Sequence, residues 1–273
     1  MIYRTRTRAA VAALAIAAAL GTTAACGSGA EKNAGTPQGT ELVGLLRLTP
    51  GAAKAGSVTG SWFRMVQVGG TADKGPYMKN ADSPADGGEA TLLAPGKSGG
   101  LRIGGYQTAP RPAFDEAGNS LSDAITKPVK FFGVKFSMAT NAVDPQTKTD
   151  VAPPTVYLKD GRLTADLSAW GVTWNNQVFN QGAPKPVSST GAEAIGQEKA
   201  AKAWDWVAGK YLEAAPAATT TGTGATGTYD VRTHAFTLDW TSVIEGGPFN
   251  RFIGRWHLEG TFEKDGRAPG ASD

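Results

Sequence analysis

The stretch Arg255-Trp256-His257-Leu258-Glu259-Gly260-Thr261-Phe262-Glu263 alternates. Trp256, Leu258 and Phe262 take turns with Arg255, His257, Glu259, Thr261 and Glu263, a period of two. Successive side chains of an extended chain point to opposite faces, so this is a strand with one buried and one wet face. Trp256 is expected inward and His257 outward. Residues 235–244, with Leu238-Asp239-Trp240, read as the strand before it. Gly246-Gly247-Pro248 forms the tight turn between the two, with Phe249 tucked under the sheet and Asn250 capping the turn's backbone.

Further out, residues 42–48 and 58–68 are β-rich runs parted by Pro50-Gly51, which predicts two strands. Residues 69–123 are mostly Gly, Pro, Asp and Asn, with short apolar pieces at Leu92-Leu93 and residues 101–106. They read as long loops carrying short strands, where binding residues commonly sit. Residues 114–119 read as a hairpin turn, residues 129–138 as a strand, and residues 163–174 as a pair of strands around Gly171. Asp144-Pro145-Gln146-Thr147-Lys148 and Asp230-Val231-Arg232-Thr233-His234 share an Asp-x-x-Thr-x pattern. Its carboxylate can accept from the backbone two residues on, which suits a short hairpin loop.

Ala200, Ala203, Trp204, Val207 and Tyr211 recur at spacings of three and four, predicting one short helix within residues 192–212, ended by Pro216. Residues 217–227 read as a Thr/Gly/Ala connector. The 36 glycines and 16 prolines fit a turn-rich chain. The expected fold is all-β: an antiparallel β-sandwich or jelly-roll with long Gly/Pro-rich loops and one short helix.

The formal net charge is +3, and Arg4, Arg6 and Arg8 account for all of it, so residues 26–273 are formally neutral. A nucleic-acid partner needs a basic stripe, and none is expected here. The same three arginines, with no acid among them, precede an unbroken apolar run over residues 9–20. That run is shorter than the about 20 residues needed to span a bilayer as a helix, and it suits the apolar region of a secretory signal.

Gly21 and Thr22 break the run, and Thr23-Ala24-Ala25-Cys26 follows, ending in the chain's one cysteine. This resembles the lipobox of bacterial lipoproteins, with Thr23 where an aliphatic residue is usual. The resemblance implies a signal peptide over residues 1–25, cleavage before Cys26 and a diacylglyceryl group on its thiol. The membrane is then a partner through lipid on Cys26, and the chain sits at the outer, extracytoplasmic face of the cell membrane. Two acyl chains anchor stably where one binds only marginally. Residues 27–40 contain no aromatic and no aliphatic larger than Ala, so 26–40 is expected to be a flexible tether. Residues 41–265 form the mainly β globular domain, and 266–273 a disordered tail.

Several motifs compete for attention. Gly222, Gly224 and Gly227 spell G-x-G-x-x-G, but a Thr/Ala connector precedes them and a strand follows, the reverse of a dinucleotide site. Gly96-Lys97-Ser98-Gly99-Gly100 spells G-x-S-x-G, with Asp239 and His257 following in the chain order of α/β-hydrolases. Pro95 stands where the required strand should end, and residues 101–105 cannot be the required helix. His234 and His257 lack the spacing of a zinc pair, and Asp82, Asp86 and Glu89 miss the EF-hand spacing. No metal, cofactor or catalytic residue is expected.

The densest constellation joins Leu238-Asp239-Trp240, Gly246 to Asn250 and Gly254 to Gly260. It resembles a segment of secreted bacterial proteins of unassigned function and implies no activity. Gly246, Gly247, Pro248, Phe249, Asn250 and Trp256 read as a packing motif. Trp62, Trp170, Trp174, Trp240 and Trp256 all fall on predicted strands. An aromatic on a wet sheet face beside amides suits sugar stacking, which makes Trp174, Asn176 and Asn180 the candidate ligand contacts. Polar turn chemistry explains the same amides. The functional expectation is a membrane-anchored, non-enzymatic binding or interaction domain with a cell-envelope or carbohydrate ligand. The alternative is a cell-envelope hydrolase, glycosidase or serine esterase, using Ser98, Asp239 or Glu259.

Overall fold

The alternation over residues 255–263 is realised in a 12-residue strand that buries Trp256, Leu258 and Phe262. The computed structural model describes residues 39–54, 56–186, 203–205, 209–212, 224–245 and 248–265. It begins with β1 (Thr40–Leu42), β2 (Gly44–Leu48), β3 (Ala52–Lys54) and β4 (Ser57–Thr59). Then come β5 (Trp62–Thr71), β6 (Gly75–Tyr77), β7 (Thr91–Leu92), β8 (Gly100–Arg102) and β9 (Val129–Phe131). The middle of the chain supplies β10 (Val134–Thr140), β11 (Thr155–Lys159), β12 (Arg162–Asp166), β13 (Trp170–Trp174) and β14 (Gln177–Asn180). The rest are β15 (Ala203–Asp205), β16 (Lys210–Leu212), β17 (Ala225–Tyr229), β18 (Ala235–Val243) and β19 (Ile253–Lys264).

The fold is all-β and antiparallel. The larger sheet runs β1-β11-β12-β17-β18-β19-β2-β8, with β5 also on β19 and carrying β6 and β7. β19 is its spine. On one side β18 pairs with it from Ala235↔Thr261 to Val243↔Ile253. On the other, β5 pairs with its first half and β2 with its second. The chain leaves β2 as the hairpin β3–β4 and returns through Gly60, at φ +68°. A Cβ on Gly60 would stand 2.2 Å from the Pro50 carbonyl oxygen, so the re-entry requires glycine. The two runs predicted at 42–48 and 58–68 therefore lie end to end against one partner.

The second sheet runs β14-β13-β10-β9. One continuous core joins Phe63, Phe236, Leu238, Trp240, Trp256 and Leu258 of the larger sheet to Phe136, Met138, Trp170, Val172 and Trp174 of the smaller. Trp170 crosses between them, with its ring 5.3 Å from Trp240 and 5.7 Å from Trp256, both edge-on. That geometry suits the aromatic quadrupole.

Two local expectations are corrected. Where the segment 192–212 is described it is not a helix: β15 and β16 form an antiparallel hairpin with Trp204 opposite Tyr211, and residues 192–202 and 206–208 lie outside the described residues. Trp and Tyr favour strands, and Gly209 at φ +62° supplies a turn that a helix cannot hold, so pairing overrides the three-four spacing. Among the described residues the one helical turn is the 3-10 turn Ala85–Gly88, bent by Asp86 and Gly87 at positive φ. The break in residues 163–174 also falls before Trp170, not at Gly171. β12 and β13 belong to different sheets, and Gly171 sits mid-strand because a Cβ there would meet Asn141 Nδ2 at 2.3 Å.

The Asp-x-x-Thr-x loops form as expected. Asp230 Oδ1 accepts from the backbone N–H of Arg232 at 2.8 Å and of Thr233 at 3.1 Å. Asp144 Oδ1 accepts from Gln146 N–H at 3.0 Å and from Thr147 N–H and hydroxyl at 2.5 and 2.8 Å. In both loops the fifth residue, Lys148 or His234, turns to φ near +60° (61° and 59°).

Candidate functional site

Trp174, Asn176 and Asn180 do not converge on a wet surface. β13 buries Trp174 to 8% exposure, and its indole N–H donates to the carbonyls of Phe131 at 3.0 Å and Val134 at 3.2 Å. Asn175 and Asn176 form the two-residue turn between β13 and β14, at φ +49° and +59°. Asparagine is favoured there because the matching hairpin turn requires positive φ at both positions. Asn180 is 1% exposed with its side chain committed: Nδ2 donates to Ser168 O at 2.7 Å, and Oδ1 accepts from Gly182 N–H at 2.9 Å. Turn and packing chemistry account for all three.

Trp174 instead walls a void between the two sheets. Phe63, Phe131, Phe136, Val172, Phe179 and Phe249 line it with Trp174, Gln181 and Trp256, and the surface they present is apolar. It is narrow: only about 40 Å³ admits the centre of a water molecule. Among the described residues no ionisable side chain lines it. Phe249, 5% exposed, lies beneath the larger sheet with its ring 5.5 Å from Trp174 and 5.7 Å from Phe131 and Phe252. Pro248 is exposed in the turn, Asn250 is buried, and Gly246 and Gly247 lie outside the described residues.

Gln181 sits where the sheets meet. Its backbone carbonyl accepts from the Trp240 indole at 2.9 Å, and its Nε2 donates to Asn180 O at 3.0 Å. Its Oε1 is buried without a partner, as are the indole nitrogens of Trp256 and Trp170. Buried polar atoms are almost always paired, so orphans at the edge of a void draw attention to it. Gln181 belongs to the amide-rich stretch after Trp174 that was expected to contact a ligand on a wet surface, and the structure buries it instead. Gly254 opens the last part of the C-terminal constellation, and a Cβ there would stand 2.1 Å from Gln181 Oε1 and 2.8 Å from Trp256 Nε1, so both side chains pack onto its bare backbone.

Beside this junction Lys185 ties the sheets together. Its ammonium donates to Asn180 O at 2.5 Å and to Val243 O at 2.8 Å. Burial lowers its pKa to about 8, against the opposite pull of Glu245 and Asp144.

The titratable groups gather elsewhere, on the outer face of the larger sheet. Strand register places Trp62, His257, Asp239, Thr226, Thr164, Tyr157 and Glu41 in one row across it. His257 stacks on Trp62 with centroids 5.1 Å apart and planes at 17°, and its Nδ1 is 2.8 Å from Asp239 Oδ1. Glu259 Oε2 lies 3.9 Å from Nε2 and accepts from Gly60 N–H at 3.0 Å. Arg64 and Arg255 stand over the Trp62 ring at 5.2 and 5.4 Å, paired with Asp86 at 2.7 Å and Asp73 at 3.3 Å. Each of the two arginines thus has a carboxylate neighbour.

Ser98 does not join it. Its backbone N–H bonds Ala124 O at 2.9 Å in a turn beside β8, whose Gly100 faces Arg47, itself opposite Thr261 at the far half of β19. The Asp239–His257 pair therefore has no Ser98 within reach. Asp86 is taken by Arg64, and Asp82 Oδ2 accepts from Gly133 N–H at 2.7 Å. Among the described residues no group of three or more His, Cys, Asp and Glu is placed to hold a metal. Gly224 and Gly227 lie against strands, with a Cβ on Gly227 only 1.7 Å from Thr237 O, and Gly222 lies outside the described residues, as does Cys26. Comparison with protein-family models, curated proteins and solved structures found no match to this chain.

Proposed function

We propose that this chain is a lipid-anchored, extracytoplasmic binding protein that holds an apolar small molecule between its two sheets. Lipid on Cys26 fixes it to the outer face of the membrane, and residues 26–40 tether the β domain. Among the described residues, no helix is long and apolar enough to cross a membrane. The supporting observation for binding is the inter-sheet void, walled by aromatic and aliphatic side chains and one amide with no ionisable group among them. Concave, mainly apolar sites with few polar groups are the usual form of small-molecule pockets.

The hydrolase alternative draws on the Asp239–His257 pair, which has the contact distance of a base and its orienting acid. It lacks Ser98, and Arg255 and His257 both crowd the Trp62 ring beside it.

The anchor is tested by mass spectrometry of the membrane fraction. Cys26 is expected to carry a diacylglyceryl group, and Cys26→Ala to appear in the medium or as uncleaved precursor. An unmodified Cys26 in the membrane fraction sinks the anchor. Turnover of ester or glycoside substrates by the purified protein, lost in Ser98→Ala or Glu259→Gln, sinks the binding reading.

A further inference from the structure

Two glutamines far apart in the chain make the same contact. β8 ends the larger sheet and β14 the smaller, and among the described residues no strand pairs with the outer edge of either. β8 gives Gly99 O and Ile103 N–H to β2, so by alternation the backbone groups of Gly100 and Arg102 point away from the sheet. Gln107 meets both: its Oε1 accepts from Arg102 N–H at 2.7 Å, and its Nε2 donates to Gly100 O at 2.9 Å. Beside β14, Gln181 N–H bonds to Trp170 O at 2.9 Å, which turns Val178 and Asn180 outward. Gln146 Oε1 accepts from Asn180 N–H at 2.6 Å, and its Nε2 donates to Val178 O at 2.8 Å.

This is the pattern of a neighbouring parallel strand, where one residue accepts from the N–H of residue i+1 and donates to the carbonyl of residue i−1. A carboxamide carries the same acceptor and donor as a peptide group. Neither side chain is needed to place its loop. Gln107 O accepts from Thr140 N–H at 2.9 Å, and Gln146 N–H donates to Asp144 Oδ1 at 3.0 Å. Other side chains close what remains of the smaller sheet: Lys185 Nζ donates to Asn180 O at 2.5 Å, and Asn80 Nδ2 to Lys130 O on β9 at 3.0 Å. β1, at the other end of the larger sheet, is three residues long, and short edges pair poorly.

Open edge strands are templates for pairing with another chain. We propose that Gln107 and Gln146 are one-residue strand mimics that close the two sheets against strand addition by a second copy of this chain. Sedimentation of the full chain in detergent, with hydrogen exchange read at single amides, tests this. The unaltered chain should be monomeric, its Arg102 and Asn180 amides protected equally at every protein concentration. Met matches Gln in length but supplies no N–H, so Gln107→Met and Gln146→Met each open one edge. Each variant should self-associate at least about tenfold more tightly than the unaltered chain. When dilute, Gln107→Met should exchange the Arg102 amide at least about tenfold faster, and Gln146→Met the Asn180 amide. Both amides should regain protection as the concentration rises and a second copy takes the edge, which a tie that merely holds a loop would not produce. Folded variants that stay monomeric, with fast exchange at every concentration, overturn the proposal, as does self-association of the unaltered chain. A variant that fails to fold overturns it too, since that assigns the glutamine to folding.

Discussion

Trp256 is fully enclosed, stacked on Trp240 at 5.9 Å and tilted against Phe63 at 4.4 Å. Trp256→Ala should cost about 3–5 kcal/mol of stability, the usual cost of truncating a large buried aromatic. Its neighbour His257 faces outward as the alternation requires, but its side chain is only 16% exposed. The Trp62 stack and the Asp239 bond both depend on it, so His257→Ala should cost about 1 kcal/mol rather than the few tenths of a typical surface change. Denaturant melts of the two variants check both; a larger loss for His257→Ala would mean that β19 is displaced by one residue. Alternation told which way each side chain points, since it is a property of the local chain. It did not tell what each meets there. The contact between Gly254 and Gln181 carries no sequence signal because it joins distant parts of the chain.

At the scale of elements, hairpin loops were legible and the β15–β16 pair, read as a helix, was not. An Asp that accepts from the next backbone N–H groups acts within five residues, so Asp144 and Asp230 could be read directly. The segment containing Trp204 and Tyr211 meets two local preferences of similar strength, and pairing chose between them. Lys185 belongs to this scale because its ammonium joins the end of β14 to the end of β18. Burial lowers its pKa to about 8 in the folded protein, from 10.5. Below about pH 8 both states are protonated and burial of the charge weighs against folding. Between about 8 and 10.5 the folded state sheds its proton while the unfolded state keeps it, so stability should rise with pH across that window. The gain should be roughly 1–3 kcal/mol. Equilibrium unfolding at pH 7.0 and ~10 checks the slope, and Lys185→Met should remove it. A slope that survives the substitution would assign it to another group.

For the whole molecule, the all-β antiparallel class followed from many short alternating runs broken by Gly and Pro. The division of labour between the sheets did not. β19 serves β5 with one half and β2 with the other, and residues 163–174 pass from one sheet to the next. Pairing partners are set by distant chain, which no local period records. The same nonlocality hid the void. Trp174 was legible as an aromatic beside amides, but its face was assigned to solvent when it is turned to the core. The outer face, with its row from Trp62 to Glu41, collects the charges; the space between the sheets collects aromatics and one amide.

Binding between the sheets is tested most directly by the indole N–H resonance of Trp256, followed by NMR while 1-octanol is added. Trp256 lines the void and its Nε1 is unpartnered, whereas Trp62 lies on the opposite face of the same sheet. A ligand seated against the Trp256 ring should move its resonance saturably and leave that of Trp62 in place. A Trp256 resonance that stays fixed while the alcohol is in excess, or a shift confined to Trp62, would contradict a ligand site between the sheets.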